Sequence, residues 1–184
     1  MINHNERLEV VNEKGSIISK ATRKEVHDKG LLHREVHVWL YNKGGEVVLQ
    51  KRSRNQETFP DMWDASVGGH VDPGEKPLEA AIRELREETG LLASPGDLKL
   101  ILKIHTRIND PKSSLINNAL QYEYAYRFDG GEDELKIEKG KATELKFWSI
   151  KKILGLSEEE KKNIAFFYLP KEYLKVFEKI KNLY

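Results

Sequence analysis

The chain has 184 residues, with 31 lysines and arginines against 30 aspartates and glutamates and no cysteine. This length suits one domain with a real core, the net charge of +1 argues against a protein that wraps a nucleic-acid duplex, and the missing thiols exclude disulfides, thiolate metal sites and cysteine nucleophiles. The opening MINHNERLEV is polar and no run of about 18 apolar residues occurs, so a cytoplasmic protein without membrane contact is expected.

Residues 8–11 and 16–19 flank the turn-forming NEKG at 12–15, which predicts an N-terminal β-hairpin added to the main body. Residues 21–28 are charged and fit no single pattern. Residues 31–41, LLHREVHVWLY, alternate from His33 to His37 and then turn apolar, as a strand does on entering a core. A turn at 42–45 leads to a partner strand at 46–52, EVVLQKR. Residues 53–64 are polar with Phe59, Pro60, Met62 and Trp63 embedded, the pattern of a loop anchored by aromatics. A short strand is expected over 65–69.

Further on, residues 98–106, LKLILKIHT, alternate as a strand, Asn109-Asp110-Pro111 reads as a turn, and 119–128 is a tyrosine-rich strand. Residues 130–141 form an acidic, glycine-bearing loop before a strand at 144–149. A helix begins over 150–154, Ser157 caps the next with Glu160 as its partner, and Leu169-Pro170 breaks the chain. Tyr173, Leu174, Val176, Phe177, Ile180 and Leu183 make the apolar face of a last helix, read as core or as a homodimer contact. Strands, one central helix and late helices predict an α+β sandwich on a mixed sheet. The expected organisation is a single domain over 1–184, with a hairpin extension at 1–28, the main body at 29–156 and C-terminal helices at 157–184.

The chemistry concentrates in residues 68–91, GGHVDPGEKPLEAAIRELREETGL. Pro77 is tolerated in a first turn and the residues after it are good helix formers, so a helix over about 78–89 is expected, ended by Gly90. Glu84, Glu87 and Glu88 stand at i, i+3 and i+4 and share a face, where like charges repel. A hard divalent cation needing oxygen ligands would offset that repulsion. Leu78, Ala81, Ile82 and Leu85 give a separate apolar stripe for packing on a sheet. A solvated acidic face would explain an isolated ExxEE.

The fuller pattern of Gly69, Glu75, Arg83, Glu84, Leu85, Glu87, Glu88, Gly90 and Leu91 resembles the complete Nudix box, with no departure at a fixed position. The resemblance implies the Nudix α/β/α sandwich and a Mg2+- or Mn2+-dependent hydrolase acting on a small-molecule substrate, a nucleoside diphosphate linked to another moiety. It implies that Glu84, Glu87 and Glu88, with the Gly69 carbonyl, hold metal. Glu84, or a water beside it, would be the base, Arg83 would orient Glu84, and Glu75 would pair with Arg83 to brace the loop. The catalytic set is then Glu84, Arg83 and Glu87. A non-catalytic nucleotide-sensing module is the rival reading, and such modules commonly lose a box carboxylate; none is lost here.

Leu32-His33-Arg34, Gln50-Lys51-Arg52-Ser53, Pro60 with Trp63, and Ser66-Val67-Gly68-Gly69-His70 resemble the Nudix branch related to isopentenyl diphosphate isomerases. In that branch a catalytic cysteine stands where this chain has Gly68, which is expected to leave room beside His70. The later glutamates of the isomerases align with Asn117 and Ala119. Allylic proton transfer needs a positioned acid and base, so the resemblance favours hydrolysis over isomerisation. His27, His33 and His70 fall near the histidines that hold metal in those isomerases; ordinary structural histidines are the reading preferred without the glutamates. His37 and His105 read as plain strand residues.

Arg52, at a strand end, is expected to grip a phosphate bidentately, with Lys51 on the other face. A further carboxylate could come from Glu132, Asp133, Glu134, Glu138 or Glu144, of which Glu138 is preferred. Phe147, Trp148, Tyr122, Tyr124 and Tyr126 could stack a base, with core packing the favoured reading. Specificity is expected from the loops at 53–63, 107–118 and 130–141.

Overall fold

The computed structural model describes residues 6–110, 113–168 and 170–184. The expected hairpin forms from β1 (Arg7–Val11) and β2 (Ile17–Thr22), antiparallel around a tight turn closed by Gly15 at φ 81°. The ambiguous stretch after it is a helix, α1 (Arg23–Lys29). Its start is a capping box: Thr22 accepts from the Glu25 amide while the Glu25 carboxylate accepts from the Thr22 amide. Leu8 and Val10 pack on Val26 of α1, and the Val11 amide donates to the Leu32 carbonyl at 2.8 Å. The hairpin is therefore joined to the main body and not merely appended.

The main sheet is mixed. It is built from β3 (His33–Tyr41), β4 (Glu46–Arg52), β5 (Trp63–Asp64), β6 (Val67–His70), β7 (Leu98–Asn109), β8 (Ile116–Arg127) and β9 (Ala142–Ser149). The order is β5-β4-β3-β8-β7, with β6 paired to β3 and β9 to β4. β3 and β8 run parallel in register from His33 opposite Ala119 to Tyr41 opposite Arg127. The strands β7 and β8 are longer than expected, reaching Asn109 and starting at Ile116. Asp110 accepts from the amides of Phe59 and Ser113 at 2.6 and 2.8 Å, while Pro111 of the expected turn lies outside the described residues.

Both faces of the sheet are covered, which is why β3 ends in a continuous apolar run. On one face Val36, Val38 and Leu40 pack with Ala80, Ala81 and Leu85 of α2 (Pro77–Thr89). On the other, Trp39 and Tyr41 pack with Tyr173, Val176, Phe177 and Ile180 of the last helix, which the sequence's apolar face anticipated. Two short helices, α3 (Ile150–Leu154) and α4 (Glu158–Lys161), lead to that last helix, α5 (Pro170–Lys181), and Ser157 caps α4 with Glu160 as expected. Leu169, the first half of the expected chain break, lies outside the described residues. Burying a core leucine such as Leu85 contributes about 2–5 kcal/mol against its alanine variant.

The aromatic side chains considered for base stacking go to the core. Tyr124 and Phe147 join the cluster on the α2 side, and Trp148 packs against the other cluster with its ring 5.3 Å from that of Trp63. None of the described helices is long and apolar enough to cross a membrane.

Candidate active site

The helix α2 opens on Pro77 and ends at Gly90, whose φ of 73° lies in the left-handed region that glycine adopts without strain. With Leu85 and Ala81 turned into the core, Glu84 and Glu88 are carried to the buried edge of the helix and Glu87 to the exposed side. Glu84 lies directly over the β6 backbone. A Cβ on Gly69 would stand 2.1 Å from Glu84 Oε1, so the carboxylate occupies space that only glycine leaves.

Arg83 ties this corner together. Its Nε and Nη2 donate to the two oxygens of Glu75 at 3.0 and 2.9 Å, Nη1 donates to Glu84 at 2.7 Å, and Nη2 also reaches the His70 carbonyl at 3.0 Å. Glu87 lies 3.4 Å from Nη1. Glu75 Oε2 also accepts from the Asp72 amide at 3.0 Å. Burial works against the Glu75 charge, but Arg83 and the Asp72 amide hold its carboxyl below the usual range. The hairpin contributes too, because Glu9 accepts from Arg34 at 2.6 Å and from the Gly74 amide at 3.2 Å.

One charged side chain at this corner has no counterpart among the residues expected from the sequence. Lys141, from the loop before β9, sets Nζ 3.0 Å from Glu88 and 3.5 Å from Glu84. Gln50 adds an amide hydrogen bond to Glu88 at 3.1 Å. Burial, reinforced by the nearby Glu84 charge, raises the Glu88 carboxyl to about 7, with Lys141 pulling the other way. The Lys141 ammonium is itself disfavoured by burial, but Glu88 and Glu84 outweigh that and raise it. Glu138, the preferred extra carboxylate, lines the same cleft, whereas Glu132 accepts from the Phe147 amide, Glu134 from the Gly131 amide, and Glu144 pairs with Lys146.

Gly68 and Gly69 point to opposite faces of the sheet. A Cβ on Gly69 would meet Glu84, while one on Gly68 would meet His37 at 3.0 Å, not His70 as the sequence reading held. The strand register sets this, since His37 lies opposite Gly68 and Glu35 opposite His70. A cleft of about 910 Å³ is lined from both sides, and residues from all three expected specificity loops, among them Glu57, Asn117 and Gly140, contribute to it.

On the face away from α2, His27, His33 and His70 converge, each offering a ring nitrogen within 4.8 Å of the others. His27 comes from α1, His33 from β3 and His70 from β6. Burial, aided by the neighbouring His33, lowers His27 to about 4 and His70 well below its ordinary value, so both rings are neutral near pH 7. Glu35 stands 3.3 Å from His33 and 3.6 Å from His70 and also accepts from Asn117 and Gln121 at 3.1 and 2.9 Å. Ala119 is buried on β8 opposite His33.

Two expectations are corrected by this geometry. Arg52 lines the cleft, but Nε and Nη2 donate to the Thr58 carbonyl and Nη1 to Asp64, so its fork is closed on the loop and not open for a phosphate. His37 is more than a plain strand residue: it faces the cleft with Nδ1 3.2 Å from the fully buried Glu123. Burial opposes a charged ring there, yet Glu123 outweighs it and raises His37 to about 9. His105, on the exposed side, bonds only Asn118 at 2.9 Å, as a strand residue would.

A NUDIX domain family model matches residues 31–168. The chain is 38% identical over 96 residues to an uncharacterized Nudix hydrolase of Clostridium acetobutylicum, a match covering 50% of this chain and 46% of the relative. It is 34% identical over 116 residues to an isopentenyl-diphosphate Delta-isomerase of Streptomyces griseus, covering 62% of this chain and 58% of that protein. The chain spans about half the length of the curated relatives it matches. Among solved structures, DR0079 of Deinococcus radiodurans superposes with a TM-score of 0.64 at 24% identity, over 81% of this chain and 86% of that one, a likeness of fold.

Removing Arg83 leaves Glu75 and Glu84 without their shared partner. The Arg83→Ala variant is expected to lose about 1–3 kcal/mol of stability and to exchange amide protons faster over residues 69–76, measured by denaturation and hydrogen exchange. Wild-type exchange in that loop would show that the guanidinium does not brace it.

Proposed function

The chain belongs to the NUDIX domain family, and from that premise we propose that it is a Mg2+- or Mn2+-dependent hydrolase of a diphosphate bond in a nucleoside diphosphate linked to another moiety, or in a similar organic diphosphate. The observation that supports this most directly is the grouping of Glu84, Glu87 and Glu88 on one side of α2, with Glu84 against the Gly69 backbone and two of the three carboxylates buried. The donor set of carboxylate and carbonyl oxygens fits a hard divalent ion, and Glu84, Glu87, Glu88 and the Gly69 carbonyl would hold it. Such an ion, when bound, supplies Lewis-acid polarisation of a phosphoryl oxygen and neutralises developing charge.

In this reading Glu84 takes a proton from the attacking water, directly or through a water beside it, and Arg83 keeps its carboxylate turned toward the cleft. Glu75 fixes Arg83 in turn, so its part is positioning. Arg52 positions as well, by holding the loop through Thr58 and Asp64. Lys141 balances the buried Glu84 and Glu88 charges, whose oxygens would be the ones to hold the ion. We also propose that His27, His33 and His70 form a second site suited to Mn2+ or another borderline ion, because three imidazoles meeting in one place are its preferred ligands.

A panel of nucleoside diphosphate derivatives, assayed with and without Mg2+ or Mn2+, tests the reading. Metal-dependent turnover of at least one is expected, and its absence across the panel would favour a nucleotide-sensing module. The Glu87→Gln variant should lose on the order of 100-fold or more in kcat with little change in unfolding midpoint, since Glu87 is exposed. An unchanged rate at saturating Mg2+ would sink the metal assignment.

The isomerase reading is favoured by the name of the Streptomyces griseus relative. Against it, the chain has no cysteine, Gly68 holds the thiol's place, and Asn117 and Ala119 stand where acids are needed. Incubation with isopentenyl diphosphate and Mg2+ or Mn2+ is expected to give no dimethylallyl diphosphate, and Gly68→Cys alone should not create that activity. Isomerisation by the wild type would move the function to that class.

A further inference from the structure

Glu123 sits in the middle of β8 with no exposed surface, an expensive place for a carboxylate without partners. It accepts from Trp39 Nε1 at 2.6 Å and faces His37 Nδ1 at 3.2 Å. The Tyr173 hydroxyl stands 3.4 Å from the same nitrogen and donates to Gln121 at 3.1 Å. With Nδ1 committed, His37 Nε2 has no partner among the described residues. Its Cδ2–Nε2 edge faces the space over Gly68, where a Cβ would stand 3.0 and 3.4 Å from those two atoms. A pair serving only the core would point its second nitrogen into protein; this one points it into the cleft.

The surroundings narrow what could lie there. Glu35 on β3, Asp64 on β5 and Glu123 on β8 face His37, and the Arg52 guanidinium, which also lines the cleft, is already paired with Asp64. A second anionic group would meet those carboxylates. The walls on this side include Phe59, Phe166 and Ile108, which offer apolar contact to a flat ring.

We propose that this compartment receives the neutral, ring-bearing moiety attached to the diphosphate, and that His37 donates a hydrogen bond from Nε2 to an acceptor atom on that ring. The one cleft is lined by both Glu84 and Glu87 and by His37, so a single substrate can reach from the box carboxylates to His37. His37 is then a specificity-determining residue, Glu123 a positioning residue acting through it. The inference rests on the diphosphate reading above for the group that enters the compartment, but its test does not need turnover.

The probes are diadenosine diphosphate, which carries a neutral heterocycle at each end, and adenosine triphosphate, which ends in a phosphate. In EDTA, diadenosine diphosphate is expected to shift the Trp39 indole N–H resonance of the wild type, because that N–H donates to Glu123, the partner of His37. With metal, His37→Leu should lower kcat/KM for diadenosine diphosphate by on the order of 10- to 100-fold, chiefly through KM, and lower it far less for the triphosphate. Glu123→Gln should shift the same preference in the same direction, and His37→Gln, which keeps a donor, should recover part of it. A purely structural pair would depress both substrates alike. Equal losses, no loss, or binding that leaves Trp39 unshifted in a folded protein would overturn the proposal. Binding with the Trp39 shift but without hydrolysis of either probe would leave the subsite standing and remove the hydrolase reading instead.

Discussion

Three carboxylates on one helical face repel one another, and the corner around α2 depends on the Arg83 guanidinium, which pairs with Glu84 and Glu87 while Lys141 holds Glu88. Two of the three are buried, so solvent does little to screen them. Arg83 answers by joining Glu75, Glu84 and the His70 carbonyl in a single planar fork. Those partners belong to the loop before the helix, the helix itself and the end of β6. One side chain therefore fixes three backbone segments, and Lys141 offsets what charge remains on Glu84 and Glu88.

The sheet extends this corner into a two-sided cleft. Parallel pairing of β3 with β8 sets His33, Glu35 and His37 opposite Ala119, Gln121 and Glu123. The short strand β6 pairs antiparallel beside β3, and its two glycines carry no side chain on either face. Oxygen donors suited to a hard cation collect on one side and imidazoles on the other. The hairpin and α1, which looked like an extension, supply His27 to the second group, and Glu9 holds the Gly74 amide of the loop before α2, so both sides rely on these residues.

The box was legible in the sequence because its parts are close along the chain. Glu84, Glu87 and Glu88 need only helical periodicity to meet, and Glu75 reaches Arg83 across eight residues. The strands and the amphipathic last helix were legible for the same reason. What could not be read lies across long separations. Lys141 meets Glu84 from 57 residues away, out of a loop whose acidic composition hid it. His37 and Glu123 come together only through the β3–β8 register, although an acidic residue sharing a face with Gln121 and Ala125 was a usable signal. Arg52 was misread because its own loop, through Thr58 and Asp64, competes for the fork. The helix α1 carried its signal openly, in the Thr22 to Glu25 spacing of a capping box, but its charge pattern obscured it.

The central claim is that the buried box carboxylates bind the ion. Isothermal titration with Mg2+, an ion that imidazoles hold poorly, tests it on the wild type and on a folded Glu84→Gln variant. The account predicts saturable binding to the wild type that weakens strongly in the variant. Mg2+ binding of equal strength in both proteins would contradict it.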